Sequence, residues 1–410
     1  MKSTTRIENR SRILTYLLAL FFMVIPLDYV LPHIGNATVL TPIGLIISAF
    51  AAFGIFGKRT TMDLYQLVIL WLIVLSIAGI LWAQDGNRAR AQAVSFSATA
   101  IMYFLLFCYS FSKKEITIFE NASILGGILL VLYVLTQADL DAVYAGYRLH
   151  FSKIGSDFFS DPNGLAARLV FPFVFTMKRI LEKGRLLVKL LLILALAGMF
   201  YVFFLTGSRA SMIALAMICL IILLGVMNDK RSGAFVAIVL IFSLALVVAP
   251  KILPEHIFER IFSIDKYKEV TEIEDDRFGI WKNVMLEVFP KSPIWGHGTG
   301  NSAVALSEVY GRIKAVHNSW LVMLADLGIL GFFPWIVFTV SRISQAAGIR
   351  RRDPYVFAAL IGVLIMAATL DAAREKFLWN GFLYVHMIYI MNKMEKQKGY
   401  IETVKIVEEE

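Results

Sequence analysis

The chain has 410 residues, of which 58% are hydrophobic and 17% charged, with a mean hydropathy of +0.69 and a net charge of +9. A soluble protein carries roughly a quarter charged residues, so this composition excludes an ordinary soluble fold. The positive balance does not read as a nucleic-acid surface either, because no basic stripe alternates with stacking aromatics.

The charges gather in short clusters separated by long apolar runs. A run of about 20 residues spans the hydrocarbon core of a bilayer as a helix, and backbone groups in lipid must satisfy one another. The first run follows Lys2, Arg6, Arg10 and Arg12, in the manner of a signal peptide. It is long and lacks a small-x-small cleavage site, so it is expected to stay as the first helix. Twelve spans are expected, at 13–31, 39–56, 64–82, 93–111, 116–136, 163–180, 187–205, 211–227, 233–250, 319–341, 355–371 and 377–391. The expected fold class is all-α, a polytopic integral membrane protein with a helical periplasmic loop between spans nine and ten. Residues 1–249 then hold nine spans, 250–318 the loop, 319–391 three spans and 392–410 a cytoplasmic tail. The two cysteines, Cys108 and Cys219, both fall in expected spans and make no disulfide framework.

Lys and Arg set the orientation. With the N-terminus inside, the cytoplasmic side collects Lys58/Arg59, Lys113/Lys114, Lys178/Arg179/Lys183/Arg185, Lys230/Arg231, Arg342/Arg350/Arg351/Arg352 and Lys393/Lys396/Lys398. Both termini are therefore expected in the cytoplasm. On the other side, residues 137–163 and 250–318 are too long for simple turns, and only the second is large enough to fold as a unit. Within it Ile280, Val284 and Val288 recur at helical spacing behind Asp276 as N-cap. Pro290 and Pro293 end that helix, a glycine turn runs from Gly296 to Gly300, and a second short helix is expected over about 302–314. These helices are expected to lie at the membrane interface.

Several polar residues stand out on that outer side. Arg209, within Thr206-Gly207-Ser208-Arg209-Ala210-Ser211, lies where positive charge is disfavoured. It reads either as a snorkelling side chain at a tight turn or, with Ser208 and the helix N-terminus, as an anion site. Arg277 and Trp281 share a helix face; they read as a cation–π contact, with Arg277 otherwise in a salt bridge to Asp275 or Asp276, or as a second arm of a phosphate clamp. His317, followed by Asn318, stands where the loop re-enters the membrane, placed to take a proton from a substrate hydroxyl. His33, His150 and His256 lack such a context, and His297 lies in the glycine turn. Asp161-Pro162-Asn163 marks a helix start, capped by Asp161 or Asn163. One turn on, Arg168 needs a partner, either an acid of the bundle or a substrate phosphate. Asp371, Arg374, Glu375 and Lys376 crowd one turn and can pair with one another. The sequence has no HExxH or Walker motif, so neither a metal nor a nucleotide is expected as cofactor.

Asp276-Arg277…Trp281, Ser292-Pro293-Ile294-Trp295-Gly296-His297-Gly298 and His317-Asn318 followed by Gly328-Ile329-Leu330-Gly331 together resemble the O-antigen ligase and O-antigen polymerase superfamily. Gly207-Ser208-Arg209-Ala210-Ser211 and Asp161-Pro162-Asn163 fit the same pattern. The resemblance implies a metal-independent inverting glycosyltransferase of the bacterial inner membrane, acting on its periplasmic face. Its donor would be a glycan on undecaprenyl diphosphate, and its acceptor lipid A–core for a ligase or another glycan repeat for a polymerase. Arg209 and Arg277 would then hold the diphosphate and His317 would activate the acceptor hydroxyl, with Trp281, Ser208, Asn318 and Arg168 binding substrate. Membrane lipids are expected partners and nucleic acid is not. A flippase or transporter is the rival from another class, but no two-fold repeat is evident and the long loop breaks any six-plus-six symmetry. A protein side chain as acceptor is a third reading.

Overall fold

The computed structural model describes residues 2–31, 33–34, 37–54, 63–144, 149, 161–182, 184–228, 251, 254–262 and 277–409. In chain order the helices are α1 (Lys2–Val24), α2 (Leu40–Gly54), α3 (Leu64–Ala78), α4 (Gly86–Phe107), α5 (Lys113–Gln137), α6 (Leu140–Tyr144), α7 (Pro162–Leu181), α8 (Leu186–Leu205) and α9 (Arg209–Asn228). They continue as α10 (Glu255–Phe262), α11 (Arg277–Asn283), α12 (Ser302–Ala305), α13 (Ser307–Tyr310), α14 (Ser319–Ile349), α15 (Pro354–Ala367) and α16 (Lys376–Glu409). A ladder of two residues per strand, β1 (His33–Ile34) against antiparallel β2 (Ala37–Thr38), is the one departure from helix among the described residues that forms a sheet.

Six helices are long and apolar enough to cross a membrane, within 64–81, 86–107, 113–137, 186–205, 209–227 and 319–349. The architecture is that of a polytopic membrane protein. Twelve spans were expected from the apolar runs. Of the others, 40–54 and 354–367 form apolar helices of 15 and 14 residues, and 233–250 lies outside the described residues. α7 is enclosed by its neighbours, with every residue from Pro162 to Met177 buried. α8 is the reverse case: Leu186, Leu187, Leu190, Leu191 and Leu194 are exposed, as suits a helix facing lipid.

α9 and α15 run antiparallel in close contact. A Cβ at Gly225 would lie 2.4 Å from Pro354, and one at Gly362 would lie 2.6 Å from Ile218. The start of α9 and the end of α15 therefore share one end of the bundle. At the other end Glu120 bridges Lys178 at 2.8 Å and Arg179 at 2.7 Å, and Lys178 also meets Asp353 at 3.0 Å. Arg342 belongs there too, but not in a loop. α14 runs on past residue 341, so Arg342 is fully buried, ion-paired with Asp63 at 3.0 Å and hydrogen-bonded to His386 Nδ1 at 3.0 Å. Guanidinium only donates, so His386 Nδ1 accepts and its Nε2–H donates to the Phe107 carbonyl.

α14 is broken at Gly328, whose φ of 61° and ψ of −165° lie far from helix. The break frees backbone groups that membrane burial does not tolerate unpaired. The loop segment 293–298 takes them. Ile329 and Leu330 donate to the carbonyls of Pro293 and Ile294, while His297 and Gly298 donate to those of Ala325 and Asp326. Trp71 Nε1–H donates to the Leu330 carbonyl at 2.9 Å. The contact leaves no room for side chains, since a Cβ at Gly328 would sit 2.2 Å from the Ile294 oxygen.

The loop forms its own small core. Ile280, Val284 and Val288 are buried as their spacing predicts, against Ala305, Leu306, Val316, Val322 and Ala325. Regular α-helix ends at Asn283 and passes through a π turn over Val284–Val288. The expected cap Asp276 lies outside the described residues. The expected helix over 302–314 is instead two single turns, α12 and α13, stopped at Gly311 with φ of 67°. This packed unit leans on the first turns of α14, where interfacial helices were expected.

Replacing Gly328 with Ala imposes left-handed strain and a backbone clash together, costing on the order of 1–3 kcal/mol or more. Gly328→Ala should therefore lower Tm in detergent and speed protease cutting within 290–300, whereas Gly348→Ala, where a Cβ meets nothing within 4 Å, should change neither.

Candidate functional site

His317 is the only non-glycine described residue with positive φ, at 53°. Histidine tolerates this region better than branched residues, but the conformation still carries strain and persists only where its surroundings impose it. The next two residues do so. Asn318 caps α14, its Oδ1 accepting from Trp320 N at 3.0 Å and Leu321 N at 3.2 Å. Its own N–H donates to Asp371 Oδ1 at 3.3 Å. Buried Ser319 donates to the Leu370 carbonyl at 2.7 Å and accepts from Ala372 N at 2.8 Å. The half-buried imidazole thus sits on a corner tied to the turn between α15 and α16.

The arm carrying Arg277 reaches the same corner. Trp281 Nε1–H donates to the Val316 carbonyl at 3.0 Å, one residue before His317. Arg277 is one helical turn earlier on the same face of α11. Asn283 Nδ2 donates to the Tyr310 hydroxyl at 2.8 Å, tying the arm to α13. The exposed pair Lys291 and Glu308 lies farther out at 2.6 Å, and the hydrogen bond and charge of Lys291 hold the Glu308 carboxyl below its usual range.

Ser208 and Arg209 stand at the start of α9, at the level of the turn that follows α15. Gly207, with φ of 56°, makes the tight turn. Ser208 is buried and caps the helix, its Oγ accepting from Ser211 N at 3.3 Å, while Arg209 is exposed. Ser208 is therefore spent on the helix start, and the guanidinium next to it is presented outward.

Arg168 is buried, and its Nη2 lies 2.6 Å from Glu375 and 3.8 Å from Asp28. Its Nη1 donates to the Gly164 carbonyl at 3.0 Å. Of the two kinds of partner its position called for, the bundle itself supplies the acids. Asp161 is the cap of α7, accepting from Asn163 N at 2.9 Å. Lys376 approaches Asp28 at 3.9 Å. The crowded turn thus pairs outward rather than within itself: Asp371 with Asn318, Glu375 with Arg168 and Lys376 with Asp28.

All seven predicted residues lie at one end of the bundle. Trp281 and His317 are joined through Val316, Arg277 comes with Trp281, and Asn318 holds the corner; Arg168 and Arg209 reach that end on α7 and α9. Asp326 escaped the sequence reading. Buried on α14, its carboxylate accepts from Gly300 N at 2.6 Å and Ser302 N at 2.8 Å, clasping the glycine turn. An acid inside an apolar run, nine residues after His317, was the available signal. His297 belongs to the same clasp, its ring Nε2 donating to the Val288 carbonyl at 2.9 Å. Among the described residues no three His, Cys, Asp or Glu side chains gather as a metal ion needs.

Residues 194–336 match the family model described as O-antigen ligase, which supports the O-antigen ligase superfamily. The match runs from α8 past the Gly328 break and takes in Ser208, Arg209, Arg277, Trp281, His317 and Asn318, but not Arg168. It points to the ligase and polymerase type of enzyme, glycosyltransferase-like and acting on a glycan in a lipid environment. No curated protein matches the chain.

Removing one partner of a buried ion pair leaves an uncompensated charge, which costs on the order of 3–5 kcal/mol. Arg168→Met should therefore lower Tm sharply, and adding Asp28→Asn should recover part of the loss. A double-mutant cycle in detergent checks this, with a coupling near zero as the contrary result.

Proposed function

We propose that the chain, which carries an O-antigen ligase family match over residues 194–336, transfers a glycan from undecaprenyl diphosphate to an acceptor hydroxyl on the periplasmic face of the bacterial inner membrane. The acceptor in this reading is lipid A–core, with both termini of the protein in the cytoplasm. The observation that carries it is the His317 corner: a histidine held at φ of 53° and joined through Val316 to the helix that bears Arg277.

In the proposed reaction Arg209 and Arg277 hold the two phosphoryl groups. Planar guanidinium groups match such oxygens bidentately, and cations already in place stabilise the charge that develops on the leaving diphosphate. His317 accepts the proton of the acceptor hydroxyl as its oxygen attacks the anomeric carbon. The new glycosidic bond forms as the bond from that carbon to the phosphate oxygen breaks, with inversion. The electron pair leaves on undecaprenyl diphosphate and the proton remains on the imidazole. The arrangement asks for no metal, because fixed cations provide the electrophilic help.

A general base contributes about 10²–10⁴ in rate. His317→Ala should therefore lose transfer by at least that order while inserting and melting as the native protein does; near-native activity would remove His317 from the mechanism. Arg209→Lys keeps the charge but loses the fork, so transfer should fall by about 10-fold or more. Unchanged affinity of that variant for the lipid diphosphate would dispose of the clamp. The reaction itself is tested with purified protein and undecaprenyl-diphosphate glycan, with and without lipid A–core, by gel mobility. Product only with lipid A–core supports the ligase, and a ladder from donor alone makes it a polymerase. Neither product from folded protein would turn the reading towards a flippase.

A further inference from the structure

Arg374 lies in the turn between α15 and α16, half-buried, with Nη1 wholly buried and without a hydrogen-bond partner among the described residues. Its neighbours are all engaged: Asp371 accepts from Asn318 N, Glu375 pairs with Arg168 at 2.6 Å and Lys376 faces Asp28 at 3.9 Å. Asp326 feels the Arg374 charge, yet both its oxygens already accept from Gly300 and Ser302, and no ion pair forms. A guanidinium N–H that is buried without an acceptor is costly, and native structures keep such groups where something else supplies the acceptor.

The position of this cation gives it meaning. Two residues before it, Ala372 N donates to Ser319 Oγ at 2.8 Å, so the turn is fastened to the corner that bears His317. The start of α9, with Arg209, reaches the same end of the bundle at the level of Asp371. Arg374 thus stands on the His317 side of the site, while Arg277 approaches that corner on α11.

We propose that Arg374 is a third guanidinium of the substrate site, holding a phosphoryl-type oxyanion beside His317. This rests on the transferase reading given above. Its planar fork is always charged and presents donors matched to a phosphate edge. Two sources share that chemistry, the diphosphate of the donor and a phosphate on the acceptor. The residue lies outside the matched stretch 194–336, so the site extends beyond it into the α15–α16 turn.

The test uses the full chain in nanodiscs, as native protein and as Arg374→Gln and Arg374→Lys. Losing a charge-assisted hydrogen bond should raise KM for one substrate by about 10- to 100-fold in Arg374→Gln, with Tm unchanged in the absence of ligand. A rise for donor, together with weaker binding of inorganic diphosphate by titration calorimetry, assigns the oxyanion to the donor. A rise for acceptor alone assigns it to the acceptor. Arg374→Lys should fall between Arg374→Gln and the native protein. The proposal is overturned if both KM values and diphosphate affinity stay within about twofold of native, or if both variants melt well below it. Absence of transfer by the native protein would instead bring down the transferase reading. Arg374 would then be judged on inorganic diphosphate alone: weaker binding by Arg374→Gln sustains the site, and equal binding ends it.

Discussion

The break in α14 at Gly328 is the constraint on which the rest of the outer end depends. A helix interrupted inside a membrane protein exposes amides and carbonyls that lipid cannot satisfy, so another chain segment must bind them. Here the segment 293–298 does so, and it fits only because glycines stand at the contact: a Cβ at Gly296 would lie 2.4 Å from the Asp326 backbone. Once docked, the turn is clasped by the Asp326 carboxylate and stapled to α3 and α4. Thr299 and Ser76 hydroxyls meet at 2.8 Å, Trp82 Nε1–H reaches the Gly296 carbonyl at 3.1 Å, and Asn301 Oδ1 accepts from Asp85 N at 2.8 Å. The loop is thereby fixed relative to α14, the helix that Asn318 caps just after His317. Two of the family-like motifs, Ser292 to Gly298 and Gly328 to Gly331, are the two halves of this one joint.

The arginines divide by what surrounds them. Arg342 is fully buried and spent on Asp63 and His386, and Arg168 is spent on Glu375 and Asp28. Each fixes helices that lie far apart in sequence, a task in which the opposite charge offsets part of the cost of burying a guanidinium. Arg209 is exposed at the end of α9, and Arg277 is half-buried on the arm that Trp281 fastens. In the proposed reaction substrate chemistry falls to Arg209 and Arg277, while Arg168 at the same end and Arg342 at the other hold acids of the bundle.

Much of this was legible from residues alone. The runs that became α3, α4, α5, α8, α9 and α14 are long and apolar, and lipid admits one regular solution for them. The face of Ile280, Val284 and Val288 was legible for the same reason, since helical spacing of branched apolar residues survives even a π turn. Arg342 reads from its charge as a loop residue, and nothing local reveals Asp63, 279 residues away, as its partner. Arg168 showed only that it needed a partner. Its acidic partners, Asp28 and Glu375, converge on it from opposite ends of the chain. The left-handed conformation of His317 has no sequence signature, because it is imposed by Asp371, Leu370 and Ala372 acting on the residues that follow it.

That last dependence bears on the chemistry. A proton acceptor contributes to displacement only if it is held within hydrogen-bond reach of the attacking hydroxyl while cations hold the leaving group, since misplacement by even 1 Å can cost about 10² in rate. A free loop spends that advantage on conformational entropy. Here the residue before His317 is bonded to Trp281, the two after it to the α15–α16 turn, and the loop bearing Trp281 is clasped on α14 by Asp326. In the proposed reaction, the His317 corner and the helix that bears Arg277 then belong to one joined unit rather than to separate segments. The strain at His317 is consistent with that design: the corner is held by bonds on both sides against its own backbone preference, which fixes where the imidazole can lie before any substrate is bound.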